Sequence, residues 1–191
     1  MKRLSIALVA ASVLFACNND KKTDETSGKT GDKKESATIT YPYKADYSSD
    51  FSMGDANNAK TVLDLYKMWE EGRVDDFKSV LADSASIDFP NGYKFKDNTA
   101  DSLINFAKQF RKGLSSVKIT FDGWMPIHVN DKKEDYVLVW YREYETDMKG
   151  KVDSVRGHAY FQMKNNKVRS WSEFDQKLTA PPPPPPPAKK K

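Results

Sequence analysis

The chain has 191 residues, with 31 Lys and Arg against 27 Asp and Glu, a formal charge of +4 and a sequence pI of about 8.9. Without Lys2, Arg3 and the three C-terminal lysines the remainder carries −1, so the chain lacks the domain-wide basic surface that nucleic-acid binding needs. A single cysteine, Cys17, excludes an intramolecular disulfide, and stability has to come from core packing.

The first residues set a basic start, Lys2 and Arg3, before an apolar run over 6–15. That run is too short to span a bilayer and has the dimensions of a signal-peptide core. The sequence Leu14-Phe15-Ala16-Cys17 resembles the lipobox of bacterial lipoproteins. The resemblance implies a signal peptide over 1–16 and a diacylated Cys17 that becomes the mature N-terminus; the competing reading is a free thiol. Several acyl chains exceed the two signals that stable anchoring requires. Residues 17–52 open on "NNDKKTDETSGKTGDKKES", which is too polar to bury a core and reads as a disordered tether. About twenty residues of such chain hold a domain on the order of 25 Å from the membrane. The expected setting is the bacterial cell envelope, with the membrane as a partner through the lipid.

The folded domain is expected over 53–178. The stretch "TITYPYKADYSSDF" before it is aromatic and β-prone, and suits an edge segment. In "DANNAKTVLDLYKMWEEGR", Val62, Leu65, Tyr66 and Trp69 make a helical stripe, Asp55 or Asn57 can cap it, and Gly72 stops it. "VDDFKSVLAD" reads as a second, shorter helix. "SASIDFPNGYKF" reads as a strand and a Pro-Asn-Gly turn. "TADSLINFAKQFRKGL" predicts a third helix with Leu103, Phe106, Ala107 and Phe110 on one face. Four β-branched, aromatic-rich segments follow from residue 116 to residue 178, separated by Lys-Lys-Glu, Met-Lys-Gly and Asn-Asn turns. Helices first and a strand meander afterwards predict an α+β fold, with about three helices on one face of a curved antiparallel sheet. The end, 179–191, is a proline run finished by three lysines, a polyproline II rod of roughly 20 Å.

This order, with "WEEGRVDDFKSVLADSASIDFP" and "YFQMKNNKVRSWSEFD", resembles the SnoaL-like, nuclear transport factor 2-like superfamily. The resemblance implies a cone-shaped domain with a pocket at its open end. It does not imply one activity, because the superfamily holds isomerases, cyclases, dehydratases, epoxide hydrolases and binders. Laid against ketosteroid isomerases, the chain has Phe89 at the base, Ala159 at the acid, and Leu65 or Tyr66 at the tyrosine. That mechanism therefore lacks its proton carriers. Against limonene-epoxide-hydrolase relatives, Glu173 falls on one acid, while Trp140 and Arg142 replace the arginine and the second aspartate. The SnoaL-type base position is also Ala159.

These alignments imply an inward set of Trp140, Arg142, Tyr144, Gly157, Ala159, Phe161, Trp171 and Glu173, with Tyr66 and Trp69 added by the helix. Strand periodicity independently places Trp171 and Glu173 on one face. Such an aromatic cavity suits a small apolar ligand, and equally a packed core. An interior carboxylate needs a partner or a proton. The expected partner of Glu173 is Arg142, in a structural ion pair whose loss in Glu173→Gln would lower the melting temperature. An unpaired Glu173 would instead be a candidate catalytic acid or base, helped by Tyr66, Tyr144 or His128. His158 is expected to face away from the pocket. No metal-ligand spacing, nucleophile elbow, phosphate loop or redox motif is present, so neither metal nor cofactor is expected. Three readings remain: a ligand-binding or accessory lipoprotein, a small hydrolase, isomerase or dehydratase using Glu173, and a homodimerising assembly module, joined through its outer sheet face, with a filled pocket.

Overall fold

The computed structural model describes residues 40–95 and 97–178, of which 43–178 belong to one folded unit. Cys17, the signal peptide, most of the tether and the proline-rich tail lie outside the described residues.

Strand β1 (Phe51–Met53) is followed by helix α1 (Ala56–Glu71), a 3-10 turn (Val74–Ser79), β2 (Leu81–Asp88) and α2 (Ala100–Arg111). The long strands β3 (Leu114–Val129), β4 (Glu134–Asp147), β5 (Val152–Lys164) and β6 (Lys167–Lys177) complete the fold. The sheet order is β1-β3-β4-β5-β6-β2. Domain structure begins before residue 53, because Phe51 pairs with Val129 and the Tyr47 hydroxyl donates to Glu134 at 2.5 Å. The aromatic segment ahead of α1 does dock as a sheet edge.

The expected helices are two α-helices and a 3-10 turn. In "VDDFKS" the buried residues Val74 and Phe77 stand three apart, the 3-10 period, and six residues are too few to sustain an α-helix. Asp55 caps α1 by accepting from the Asn57 amide at 2.8 Å, and Gly72 ends it at φ +74°. Arg111 then binds carbonyls freed there, donating to Trp69 O at 3.3 Å and to Glu70 O at 3.4 Å, and ties them to the start of β3 through Leu114 O at 2.9 Å. Thr99 caps α2 by accepting from the Ser102 amide.

The sheet is mixed rather than wholly antiparallel: β2 lies parallel to β6, with Ile87 opposite Trp171. Helix α2 and three strands separate β2 from β6 in sequence, a crossover long enough for parallel pairing. Asn165 and Asn166, both at positive φ, make the two-residue turn that joins β5 to β6. The core lies between α1 and the inner sheet face, where Val62 meets Val137, Val139, Phe161 and Val168, all almost wholly buried.

Strand β4 corrects one expectation. Its inner residues are Val137, Val139 and Tyr141, so Trp140, Arg142 and Tyr144 occupy the outer face. Both faces of β4 are apolar or aromatic, so alternation alone does not choose between them, and a one-residue error reverses every side chain. Opposite Tyr141, Gly157 is the space its ring needs: a Cβ there would sit 2.3 Å from Tyr141 Cζ.

Candidate functional site

A cavity of about 460 Å³ opens between α1, α2, the loop after β2 and the inner faces of β4, β5 and β6. Each wall has a local cause. The last turns of α1 present Leu65, Tyr66 and Trp69. The α2 stripe presents Leu103, Phe106, Ala107 and Phe110 to the opening, which leaves Phe110 half exposed instead of sealed in the core. The Pro90-Asn91-Gly92 turn, closed by the Gly92 amide donating to Phe89 O at 2.9 Å, brings Phe89 and Tyr93 to the rim. Phe161 and Trp171 stack across β5 and β6 with centroids 5.6 Å apart.

The floor is acidic. Glu143 accepts from Trp69 Nε1 at 2.8 Å, and Glu173 accepts from Trp171 Nε1 at 2.9 Å. Burial pushes the Glu143 carboxyl up to about 8; the indole hydrogen bond opposes this, and the neighbouring Glu145 and Glu173 add to it. Burial likewise pushes Glu173 up to about 7, against the Trp171 bond and with help from Asp175 and Glu145. Glu145 is raised by burial and by Asp153. Tyr66 is buried beside Tyr141, and its hydroxyl has no hydrogen-bond partner among the described residues.

Of the residues expected in the pocket, Tyr66, Trp69, Phe161, Trp171 and Glu173 line the cavity. Ala159 is fully buried on the inner face, opposite Glu173. Trp140, Arg142 and Tyr144 do not reach it. Arg142 donates to Asp122 at 2.6 Å on the outer face, so the expected Arg142–Glu173 pair does not form. His128 is held by Asp135 at 2.8 Å and does not line the cavity. His158 stacks on Trp140 on the outer face, with centroids 5.2 Å apart. At the cavity, β4 and β6 thus present Tyr141, Glu143, Trp171 and Glu173, and among the described residues neither glutamate is paired with a cation.

Sequence reasoning missed Glu143, Glu145, Asp175 and Tyr141. The available signal was "EYE" on one strand, where Glu143 and Glu145 share whichever face Tyr144 leaves. Phe89, expected at the ketosteroid-isomerase base position, packs its ring against Phe106 at 5.6 Å, and Asp88 pairs with Lys94 at 3.3 Å. Among the described residues no group of three or more His, Cys, Asp or Glu is placed to hold a metal ion.

No protein-family model matches the chain, and no curated protein is similar to it in sequence. Solved structures are similar in fold. A Jannaschia sp. CCS1 protein assigned as a SnoaL-like polyketide cyclase superposes with a TM-score of 0.53 at 15% identity, over 65% of this chain and 88% of that one. An NTF2-like protein of unknown function from Exiguobacterium sp. 255-15 gives 0.51 at 16% identity, over 61% and 98%. An LEH-like epoxide hydrolase from M. tuberculosis gives 0.54 at 7% identity, over 63% and 84%. With the helices, the strand order and the open cavity, these likenesses give residues 43–178 the fold of SnoaL-like and nuclear transport factor 2-like proteins.

Proposed function

We propose that the domain binds a small, partly apolar organic molecule in this cavity, carried at the bacterial envelope on a lipid-modified Cys17. The observation that carries the reading is the cavity itself. Its volume of about 460 Å³, aromatic walls and few placed polar groups are those of a small-molecule site. The open volume favours this reading over an assembly module with a filled pocket. Filling the mouth from α2 with Ala107→Trp tests the reading. Small molecules that co-purify with the parent from envelope extract, identified by mass spectrometry, should be absent from the variant while its melting temperature is retained. Equal recovery from both would sink the proposal.

A second reading, proton-transfer chemistry as a small hydrolase, isomerase or dehydratase, is favoured by one observation. Glu143 and Glu173 face the same cavity with carboxyls raised to about 8 and 7, near the range a general acid or base needs at neutral pH. In that case Glu173→Gln should co-purify unchanged substrate where the parent yields product. A homodimer is compatible with either reading: the outer face carries Trp140, His158, Phe174 and Tyr160 as neighbouring rings, three of them substantially exposed.

A further inference from the structure

We propose that the ligand of the cavity is a small organic cation, a protonated amine on an apolar body, with Glu143 and Glu173 as its counter-charges. The inference rests on the cavity being a ligand site and adds the sign of the ligand's charge.

Charge is the first observation. Five carboxyl groups line the cavity, Glu143, Glu145, Asp153, Glu173 and Asp175, against one cation, Lys177. Lys177 is mostly exposed at the rim and already bound to Asp153 at 3.1 Å. The guanidinium expected inside, that of Arg142, is bound to Asp122 on the other side of the sheet. The floor therefore gathers carboxyl groups that the lining does not pair with a cation, and a bound cation would stabilise their ionised form and so supply the missing counter-charge.

Unfilled hydrogen-bonding capacity is the second. Each floor carboxyl receives one neutral indole N–H and no other hydrogen bond among the described residues. A carboxylate accepts about four, so several lone pairs are free. Neither glutamate has an oxygen sealed away without a partner, which leaves those lone pairs open to the cavity. Tyr66, less than a tenth exposed and part of the cavity wall, has a hydroxyl whose one near polar neighbour is the Tyr141 hydroxyl, without a well-formed hydrogen bond among the described residues. An ammonium group brings three donors and the missing charge together.

The walls are the third. Trp69 and Trp171 line the cavity with partly buried aromatic surface, which attracts a cation and also buries an apolar body. A neutral ligand would gain only the burial. A carboxylate ligand would find no cation on the floor to pair with and would add to the carboxyl groups already gathered there.

Matched series of primary amines, alcohols and carboxylates on the same phenylalkyl bodies test this with the whole chain. Quenching of Trp69 and Trp171 fluorescence and calorimetry are the readouts. The amines should bind at least ~10-fold more tightly than the matched alcohols, and the carboxylates more weakly than either. Glu173→Gln, and separately Glu143→Gln, should weaken amine binding by about 10-fold more than they weaken alcohol binding, with melting confirming that each variant folds. Alcohols or carboxylates that bind as tightly as the amines, and that Ala107→Trp excludes, would overturn the cation while the cavity stays a ligand site. No binding by any series would overturn both.

Discussion

Glu173 shows how an inward carboxyl behaves when its expected partner is elsewhere. A structural pair with Arg142 would have held its pKa down; with only the Trp171 indole against it, burial raises the carboxyl from an ordinary 4.5 to about 7. A raised native pKa means that the folded state binds the proton more tightly than the unfolded chain does. Stability is then fully present below about pH 4.5 and is lost as pH rises toward and through about 7. Glu143 acts in the same direction, with its loss extending to about pH 8. Glu173→Gln should therefore stabilise the protein at pH 8 by about 1–3 kcal/mol, and leave it within about 0.5 kcal/mol of the parent at pH 5. Denaturant unfolding at the two pH values checks this. A drop in stability at pH 8 would restore the buried ion pair.

Pairing of β4 with β5 depends on a large residue facing an absent one. Tyr141 packs over Gly157, and Tyr66, Phe121 and Tyr141 surround each other within 5.2 to 6.4 Å, so the ring has little freedom to move away. Gly157→Ala should cost about 2–4 kcal/mol, by forcing a strand or the ring out of place. Adding Tyr141→Leu should recover a large part of that loss. Thermal melts of the single and double variants test the coupling; additive losses would mean the two residues do not share the space. The same strand explains why the site was only half legible. Trp171 and Glu173 were readable as sharing one face from their spacing, and the family resemblance turned that face inward; the register shift between Val168 and Ser170 is what lets it join the core side with Val168. On β4, Tyr136, Leu138 and Trp140 are as apolar as Val137, Val139 and Tyr141. Composition therefore cannot say which set is inside, and the error displaced Arg142 into the cavity and left Glu143 out of it.

For the whole molecule the open question is what covers the outer sheet face. Trp140 is 39% and Phe174 55% exposed, with His158 between them, and this row is the proposed homodimer contact. Replacing Trp140 and Phe174 together by lysine should give a monomer in sedimentation velocity where the parent is a dimer, without loss of ligand binding in the cavity. A parent that is already monomeric would leave the row without a second copy. By itself the sequence determined the two long helices and the four long strands, the α+β class, a cap at Asp55 or Asn57 and a stop at Gly72, and the shared face of Trp171 and Glu173. Each of these follows from local periodicity, propensity or turn chemistry. Only the tertiary structure decided the parallel closure of β2 on β6, the inner face of β4, the glycine space under Tyr141 and the acid pair facing aromatic walls. These depend on which strands meet and in what register, and register is set by contacts between residues far apart in the chain.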